Sequence, residues 1–349
     1  MLSTELPPDT DQNVIRKPAE EDAPVATAID RLRSHIVGRM QLTDERLDRR
    51  LSLFAPPGNA EGDLITAIGH EFARGFNDTL RTFDPAAVSA QLGADEDDFL
   101  APFYVEGASM AFAAGQVLHP STARRAHRAL REDLPGHEYL IFAGWGWWYS
   151  IRPLSGLTMR WSPIWRQGSL FAGLGIDGMA FATCFLKAEP PRFDAPCPFR
   201  EPAYEALWLQ GYGRALWFVA RGHPEVFHDQ RERLTRRRRP ELLAGLGLAT
   251  AFAGMRRLDS LPEAPSDDEN ERRAFRQGLA FGLTARREAS PRSFRQFVDH
   301  LGQSDADWVA TATDKCLDPP ARVATSPDGG YVAWQQQIRD ELPPIERPA

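Results

Sequence analysis

Cysteine is scarce in this chain, and the three present, Cys184, Cys197 and Cys316, stand too far apart for a disulfide framework or a CxxC metal site. A reducing, cytoplasmic setting is the expectation. An excess of positive charge is also absent: 41 Lys and Arg against 48 Asp and Glu leave a formal charge of −7. That balance argues against a nucleic-acid partner held by phosphate neutralisation. The one basic run, Arg231 to Arg239, is expected to form the solvated face and C-terminal end of a helix, where cations suit the macrodipole.

No apolar stretch reaches the roughly 18 residues that a membrane span requires. The longest, Tyr139 to Ile151 and Leu242 to Met255, read as buried helices. The opening MLSTELPPDTDQ has no basic region leading into an apolar one, so no secretion signal is expected. Motifs of common chemistries are missing too. There is no GxSxG and no HExxH: His70-Glu71 lacks the second histidine, while His223 and His228 are five apart and off one helical face. No metal and no cofactor are therefore expected.

What the sequence does contain is a period. At 349 residues the chain is long for one compact core unless it is an array of repeats. Gly75, Gly107, Gly144, Gly178, Gly211, Gly245 and Gly278 follow one another at intervals of 32, 37, 34, 33, 34 and 33 residues. Most are followed four positions later by a small residue: Thr79, Ala111, Ala182, Ala215, Ala249 and Gly282, whereas Gly144 has Trp148 there. A Pro-led helix start recurs in phase, with His119-Pro120, His223-Pro224 and Ser290-Pro291 each beginning twelve residues past a repeat glycine.

Each unit is thus predicted to be an apolar helix, a turn and a more charged, Pro-started outer helix. Glycine inside a helix costs about 1 kcal/mol relative to Ala, so its repetition needs a reason. A Gly and a small residue one turn apart share a face and let a neighbouring backbone approach closely. The expected fold is all-α, about seven helical-hairpin repeats of 32–37 residues forming a curved solenoid or a closed α/α toroid. It is expected to occupy residues 61–316, after a Pro-rich, acidic, disordered arm (1–28) and a capping helix with linker (29–60) that carries Ile29, Leu32, Ile36 and Met40 at helical spacing. A Pro-rich segment, 188–202, is expected to replace one outer helix, and residues 317–349 form a Pro-rich tail with one helix near Tyr331 to Leu342.

The blocks GHEFARGFN (69–77), FYVEGASMAFA (103–113), QGYGRALWFV (210–219), GLGLATAFAG (245–254) and RQGLAFGLTAR (276–286) resemble those of the UnbL-type family, a domain of unknown function found in enediyne and related polyketide biosynthetic clusters. The resemblance covers roughly residues 65–290, and QGYGRALWFV is its most specific block. It implies a pathway context rather than a mechanism. The chain departs from the pattern after the central Asp-Gly, where relatives typically carry a Gly-Phe-His run and this sequence reads Asp177-Gly178-Met179-Ala180-Phe181-Ala182. Whatever that histidine does in relatives is lost or changed here.

Polar residues sit just before four repeat glycines, Glu106, Asp177, Gln210 and Gln277, with Arg74 in a weaker copy and Arg214 inside the apolar run. Ionised groups are almost never buried unpaired, so these residues join repeats to one another or line a cavity. In the second reading Glu106, Asp177 and Arg214 converge among aromatics, with Trp145, Trp148, Trp217, Gln210 and Gln277 holding a substrate. The aromatic cluster from Phe142 to Tyr149, with Trp161 and Trp165, is either core or the wall of a pocket for a long unsaturated chain.

Asp95-Glu96-Asp97-Asp98 spells DxDD, the acid motif of class II terpene cyclases, with Asp97 as a candidate proton donor; the plainer reading is a helix cap. Gly173 to Gly178 matches GxGxxG, but no strand precedes it and the repeat accounts for it. Two functions remain in view. One is a cofactor-independent cyclase or isomerase that holds a hydrophobic polyene or isoprenoid-like substrate. The other is a non-catalytic scaffold or chaperone for a polyketide-synthase complex. Partners are then a hydrophobic small molecule and enzymes of the same pathway, without nucleic acid or a membrane span.

Overall fold

The computed structural model describes residues 35, 38–53, 60–94, 98–116, 120–152, 154–167, 169–187, 197–219, 224–317 and 329–346. The chain divides into two compact units, Met1–Gln41, of which only residues 35 and 38–41 are described, and Leu42–Ala349, which carries everything below. The expected disordered arm, and Ile29, Leu32 and Ile36 of the expected capping helix, lie outside the described residues.

Among the described residues the chain is helical throughout, with no strand. In order the helices are α1 (Asp44–Leu51), α2 (Ala60–Thr82), α3 (Pro85–Ala94), α4 (Ala101–Gly115), α5 (Pro120–Asp133), α6 (Glu138–Ser150), α7 (Ser155–Arg160), α8 (Leu174–Lys187), α9 (Pro202–Val219), α10 (Pro224–Glu232), α11 (Arg239–Phe252), α12 (Glu269–Ala289), α13 (Pro291–His300), α14 (Gln303–Cys316) and α15 (Gly329–Glu341). The seven repeat glycines fall on α2, α4, α6, α8, α9, α11 and α12, and these helices pack side by side in that order.

The glycines are where the neighbours touch. A methyl group on Gly144 would lie 2.1 Å from the carbonyl oxygen of Glu106; on Gly178, 2.0 Å from that of Ala143. On Gly211, Gly245 and Gly278 it would meet the carbonyls of Asp177, Gln210 and Ala244 at 2.1, 1.9 and 2.0 Å. In each of these five contacts the carbonyl belongs to the residue just before the preceding repeat glycine, so these five steps share one register; at the first step Gly107 faces the Phe72 carbonyl, three residues before Gly75. Several contacts are reciprocal through a second glycine two residues on: Gly146 faces Gly175 O, Gly213 faces Leu242 O and Gly247 faces Phe275 O. The sequence pattern pointed instead to the small residue four positions on, and of those Gly282 shows the close backbone approach, to Leu248 O.

The inner helices between the two ends of the row, α4 to α11, carry little polar face, whereas α2 and α12 at its ends are two-faced. Every residue from Ala101 to Ala114 in α4 is buried, the mark of a helix covered on all sides. Outer helices are two-faced: in α5, Ala123, Ala126, His127 and Leu130 are buried while Arg124, Arg125 and Arg128 are exposed. Helices beginning at Pro120, Pro224 and Pro291 form as expected. A full second helix follows only α2, α4, α9 and α12 among the described residues. After α6 comes the short α7 with two 3₁₀ turns, and after α11 one 3₁₀ turn, Met255–Arg257. The unit is therefore less uniform than a helical hairpin.

The row also curls. Phe103 of α4 packs edge-on against Phe252 of α11 with ring centroids 5.3 Å apart, and Tyr139 of α6 meets the same ring at 5.7 Å. Fully buried Arg286 of α12 joins these ends: its Nε donates to the Phe252 carbonyl at 2.6 Å and its Nη1 to the Phe99 carbonyl at 2.6 Å. The C-terminal helix α15 packs on α9 and α12, so the expected tail belongs to the same compact unit.

Two local expectations change. Only the start of the basic run, Arg231, ends a helix: α10 stops at Glu232 and the later arginines cross the turn to α11. Arg231 pairs with Glu271, Arg237 with Glu205 at 3.0 Å and Arg239 with Glu232 at 2.9 Å, so the run ties α9, α10, α11 and α12 at one corner. Asp98 caps a helix, but a distant one. Its carboxylate accepts from the backbone N–H of Arg292 at 2.7 Å and of Ser293 at 3.1 Å, at the start of α13.

The glycine contacts give a direct test. Gly245→Ala should lower unfolding stability by about 2 kcal/mol or more in urea titrations, because the clash is with backbone and outweighs the helix-propensity gain of about 1 kcal/mol. Gly93→Ala, in α3 with nothing within 4 Å of the new methyl, should leave stability unchanged or raise it by up to about 1 kcal/mol. Equal effects at both sites would contradict the packing described.

Candidate functional site

Inside the curl lies a cavity of about 280 Å³. Its wall follows from helical phase. Trp147, Phe181, Arg214 and Leu248 each stand three residues after a repeat glycine, and Phe185, Phe218 and Phe252 seven after one. Those positions share one helical face, one and two turns beyond the glycine. Phe72 of α2 and Phe103 of α4 add to the wall, α1 borders it with Arg46, Leu47, Arg50 and Leu51, and Leu42 joins it from just before that helix. Phe72 lies 4.5 Å and Phe181 5.1 Å from the Trp147 ring, centroid to centroid, so the aromatic lining is continuous.

At the inner end sits a charged group. Glu106 and Arg214 line the cavity, and Asp177 lies directly behind them, fully buried. Arg214 Nη1 donates to Asp177 Oδ1, and Arg214 Nη2 is 3.7 Å from Glu106 Oε1. Trp147 Nε1 donates to the same Glu106 oxygen at 3.1 Å. Gln210 Nε2 donates to Asp177 Oδ2 at 2.7 Å and reaches the Tyr331 hydroxyl at 3.5 Å, while Gln335 of α15 donates to Gln210 Oε1. The Arg214 guanidinium also stands 5.1 Å from the Phe181 ring centroid.

Two acids share one base here. Burial pushes the Glu106 carboxyl above the ordinary glutamate range, with Asp177 adding to the rise and Arg214 and Trp147 opposing it. Burial likewise raises Asp177, against the pull of Arg214 and Gln210. Burial works against the Arg214 cation, yet the carboxylates of Asp177 and Glu106 outweigh it and its pKa rises. Each Asp177 oxygen has a close donor, whereas Glu106 has one hydrogen bond from a neutral indole and a longer ion pair. A single proton in this group therefore rests best on Glu106, the acid that faces the cavity.

A family model described as "Protein of unknown function (DUF1702)" matches residues 29–342. The chain belongs to this family. No match is found among curated proteins or solved structures.

Within this DUF1702 chain the predicted site residues part company. Glu106, Asp177, Arg214 and Gln210 meet, whereas Gln277 takes part in a separate buried contact, accepting from Arg339 Nε at 3.2 Å. Trp145 is not part of the cavity wall: it stacks edge-on against His127 of the outer helix α5 at 4.4 Å and donates to Ser162 at 3.3 Å. It stands two residues before Trp147, on the opposite side of α6. Trp148 is half-buried and absent from the wall, and Trp217 borders another hollow, of about 250 Å³, beside Phe227 and Phe275. Asp97 lies outside the described residues. Phe181, Phe218 and Phe252 were missed as binding residues, and Trp147 was seen only as one of an aromatic cluster, although their phase marks them: Trp147 and Phe181 stand, like Arg214, three residues after a repeat glycine, and Phe218 and Phe252 seven after one.

Among the described residues no three His, Cys, Asp or Glu side chains gather as a metal site would require, and no helix is long and apolar enough to cross a membrane. The chemistry within reach of the cavity is that of one carboxylic acid, Glu106, the guanidiniums of Arg214, Arg46 and Arg50, and aromatic faces.

The raised pKa of Glu106 has a consequence for stability. A folded-state pKa above the unfolded value means that the fold favours the protonated form, so this contribution is intact below the ordinary value of 4.5 and is lost as pH rises through the raised one. Urea titrations across pH should show wild type losing stability relative to Glu106→Gln as pH rises, by at most about 1.4 kcal/mol per pH unit. Parallel stability profiles for the two proteins would show that Glu106 does not hold the proton.

Proposed function

We propose that this chain binds a hydrophobic polyene or isoprenoid-like molecule in the aromatic-lined cavity and isomerises or cyclises it by acid chemistry, as part of a natural-product pathway in the cytoplasm. The single observation that carries the reading is Glu106: a carboxylic acid whose pKa burial raises, set against an apolar, aromatic wall. The cavity size, about 280 Å³, falls just below the ligand-pocket range of about 300–1,000 Å³. We read the seven inner helices, curled so that α4 and α6 meet α11, as a closed α/α toroid with the site on its axis.

The step balances without a cofactor. A π bond of the substrate takes the Glu106 proton and leaves a carbocation at the neighbouring carbon. Glu106 becomes a carboxylate, which Arg214 and the Trp147 indole stabilise. A second double bond then attacks the cation to form a C–C bond and carries the positive charge to a new carbon; that cation, or in an isomerisation the first one, loses a proton from an adjacent carbon. Return of that proton to Glu106 restores the acid, so the product is an isomer of the substrate. The faces of Phe181, Phe218 and Trp147 stabilise positive charge in transit. Asp177 neutralises Arg214, which would otherwise repel the cation. The resemblance to the UnbL-type family supports a polyketide setting, with enzymes of that pathway as partners.

Incubation of polyene and prenyl substrates with wild type should give an isomeric product. Glu106→Gln keeps the side-chain shape and should cut the rate by about 100-fold or more, the usual worth of a general acid, while substrate affinity stays within about threefold. An unchanged product profile and rate in Glu106→Gln would remove this mechanism and favour the non-catalytic scaffold.

A further inference from the structure

Charge of one sign marks the rim of the cavity. Helix α1 reads DERLDRRL, three acids and three arginines, yet the charged side chains it contributes to the cavity are Arg46 and Arg50 alone. These two stand one turn apart on the face that also presents Leu47 and Leu51. The acids are engaged elsewhere: Glu45 pairs with Arg49 at 2.7 Å, and Asp48 and Asp44 approach His70 at 2.8 and 3.6 Å. Arg50 is held in place, its Nε donating to the Phe185 carbonyl at 2.8 Å near the end of α8. Arg46 is exposed, and its guanidinium makes no hydrogen bond or ion pair among the described residues.

We infer that the ligand is amphipathic, an extended apolar chain ending in an anionic group, carboxylate or phosphate, that Arg46 grips at the rim while the chain runs inward to Glu106. The inference rests on the cavity being a ligand site, as proposed above. Guanidinium matches the planar oxygens of either anion with two parallel hydrogen bonds. At the rim the headgroup keeps its contact with water, so no charge need be buried. The reverse orientation is disfavoured, because an anion at the inner end would join Glu106 and Asp177, two acids already sharing one arginine.

The test uses cis-parinaric acid, a fluorescent conjugated tetraene, and its methyl ester. Wild type should bind the acid about tenfold tighter than the ester, the scale of one charge-assisted hydrogen-bonded contact. Arg46→Gln should abolish that preference and leave ester affinity unchanged, Arg46→Lys should retain part of it, and Arg49→Gln, on the outer face of α1, should alter neither. Displacement by dodecanoate or by dodecyl phosphate, whichever acts at lower concentration, names the headgroup. Equal binding of acid and ester, a preference that survives Arg46→Gln, or displacement by neither competitor overturns the headgroup assignment while the cavity reading stands. Binding of neither the acid nor the ester overturns both.

Discussion

The rest of this molecule depends on the contact between a glycine and a carbonyl oxygen on the helix before it. With no side chain at Gly144, Gly178, Gly211, Gly245 or Gly278, adjacent helices approach until backbone meets backbone, and the carbonyl in question is always the one preceding the earlier repeat glycine. The register is thereby fixed at each step. Residues at equal phase arrive at similar levels around the curl, so side chains distant in sequence are brought together. Asp177 and Gln210 meet because one step separates them; Glu106 reaches Arg214 across the interior. A slip of one residue at any of these contacts would set a Cβ against a carbonyl, which close-packed helices cannot absorb cheaply.

The charged group is costly in such a place. Burial of ions seldom stabilises a fold, and an apolar replacement of similar volume often serves stability as well or better. Asp177, Arg214 and Gln210 satisfy one another, and Gln335 and Tyr331 extend the network into α15. Taken alone, those residues are adequately explained as glue between repeats. Glu106 is different, because it is the second acid beside one base, and its burial raises its pKa above the ordinary glutamate range. Its contacts with Trp147 and Arg214 also join helices, but it alone of the two acids faces the apolar wall.

Much of the architecture was legible because its cause is local and periodic. Gly75 to Gly278 announced seven inner helices, and Pro120, Pro224 and Pro291 announced the start of three outer ones. What stayed hidden is tertiary. Asp98 caps a helix that begins nearly two hundred residues later, and Arg286 reaches two carbonyls on other segments; no local pattern contains those partners. The aromatic run from Phe142 to Tyr149 was visible, but counting aromatics does not say which side of α6 each occupies. Phase does: Trp147, like Phe181 and Arg214, stands three residues after its glycine, and Trp145 stands one after. The signal that separates wall from outer packing was present, and needed the glycines as a common origin.

The terminal helices decide how the interior is reached. On one side α15 drives Tyr331, Trp334, Gln335 and Ile338 into the core, and Trp334 stacks on Phe281 with ring centroids 4.3 Å apart. Its Gln335 is bonded directly to the network behind Glu106, so displacing this helix would break the buried hydrogen bonds that orient Asp177. On the other side α1 lies over the cavity with Leu51 against Gly69, Arg50 on a backbone carbonyl and Arg46 turned to solvent. It has a single buried residue, Leu51, and its polar contacts are mostly exposed. Opening at α1 costs a few surface pairs, each worth about 1 kcal/mol or less, whereas opening at α15 exposes aromatic core. Among the described residues α1, a border of the cavity, is thus more weakly held than α15, and it is the one that carries Arg46 and Arg50.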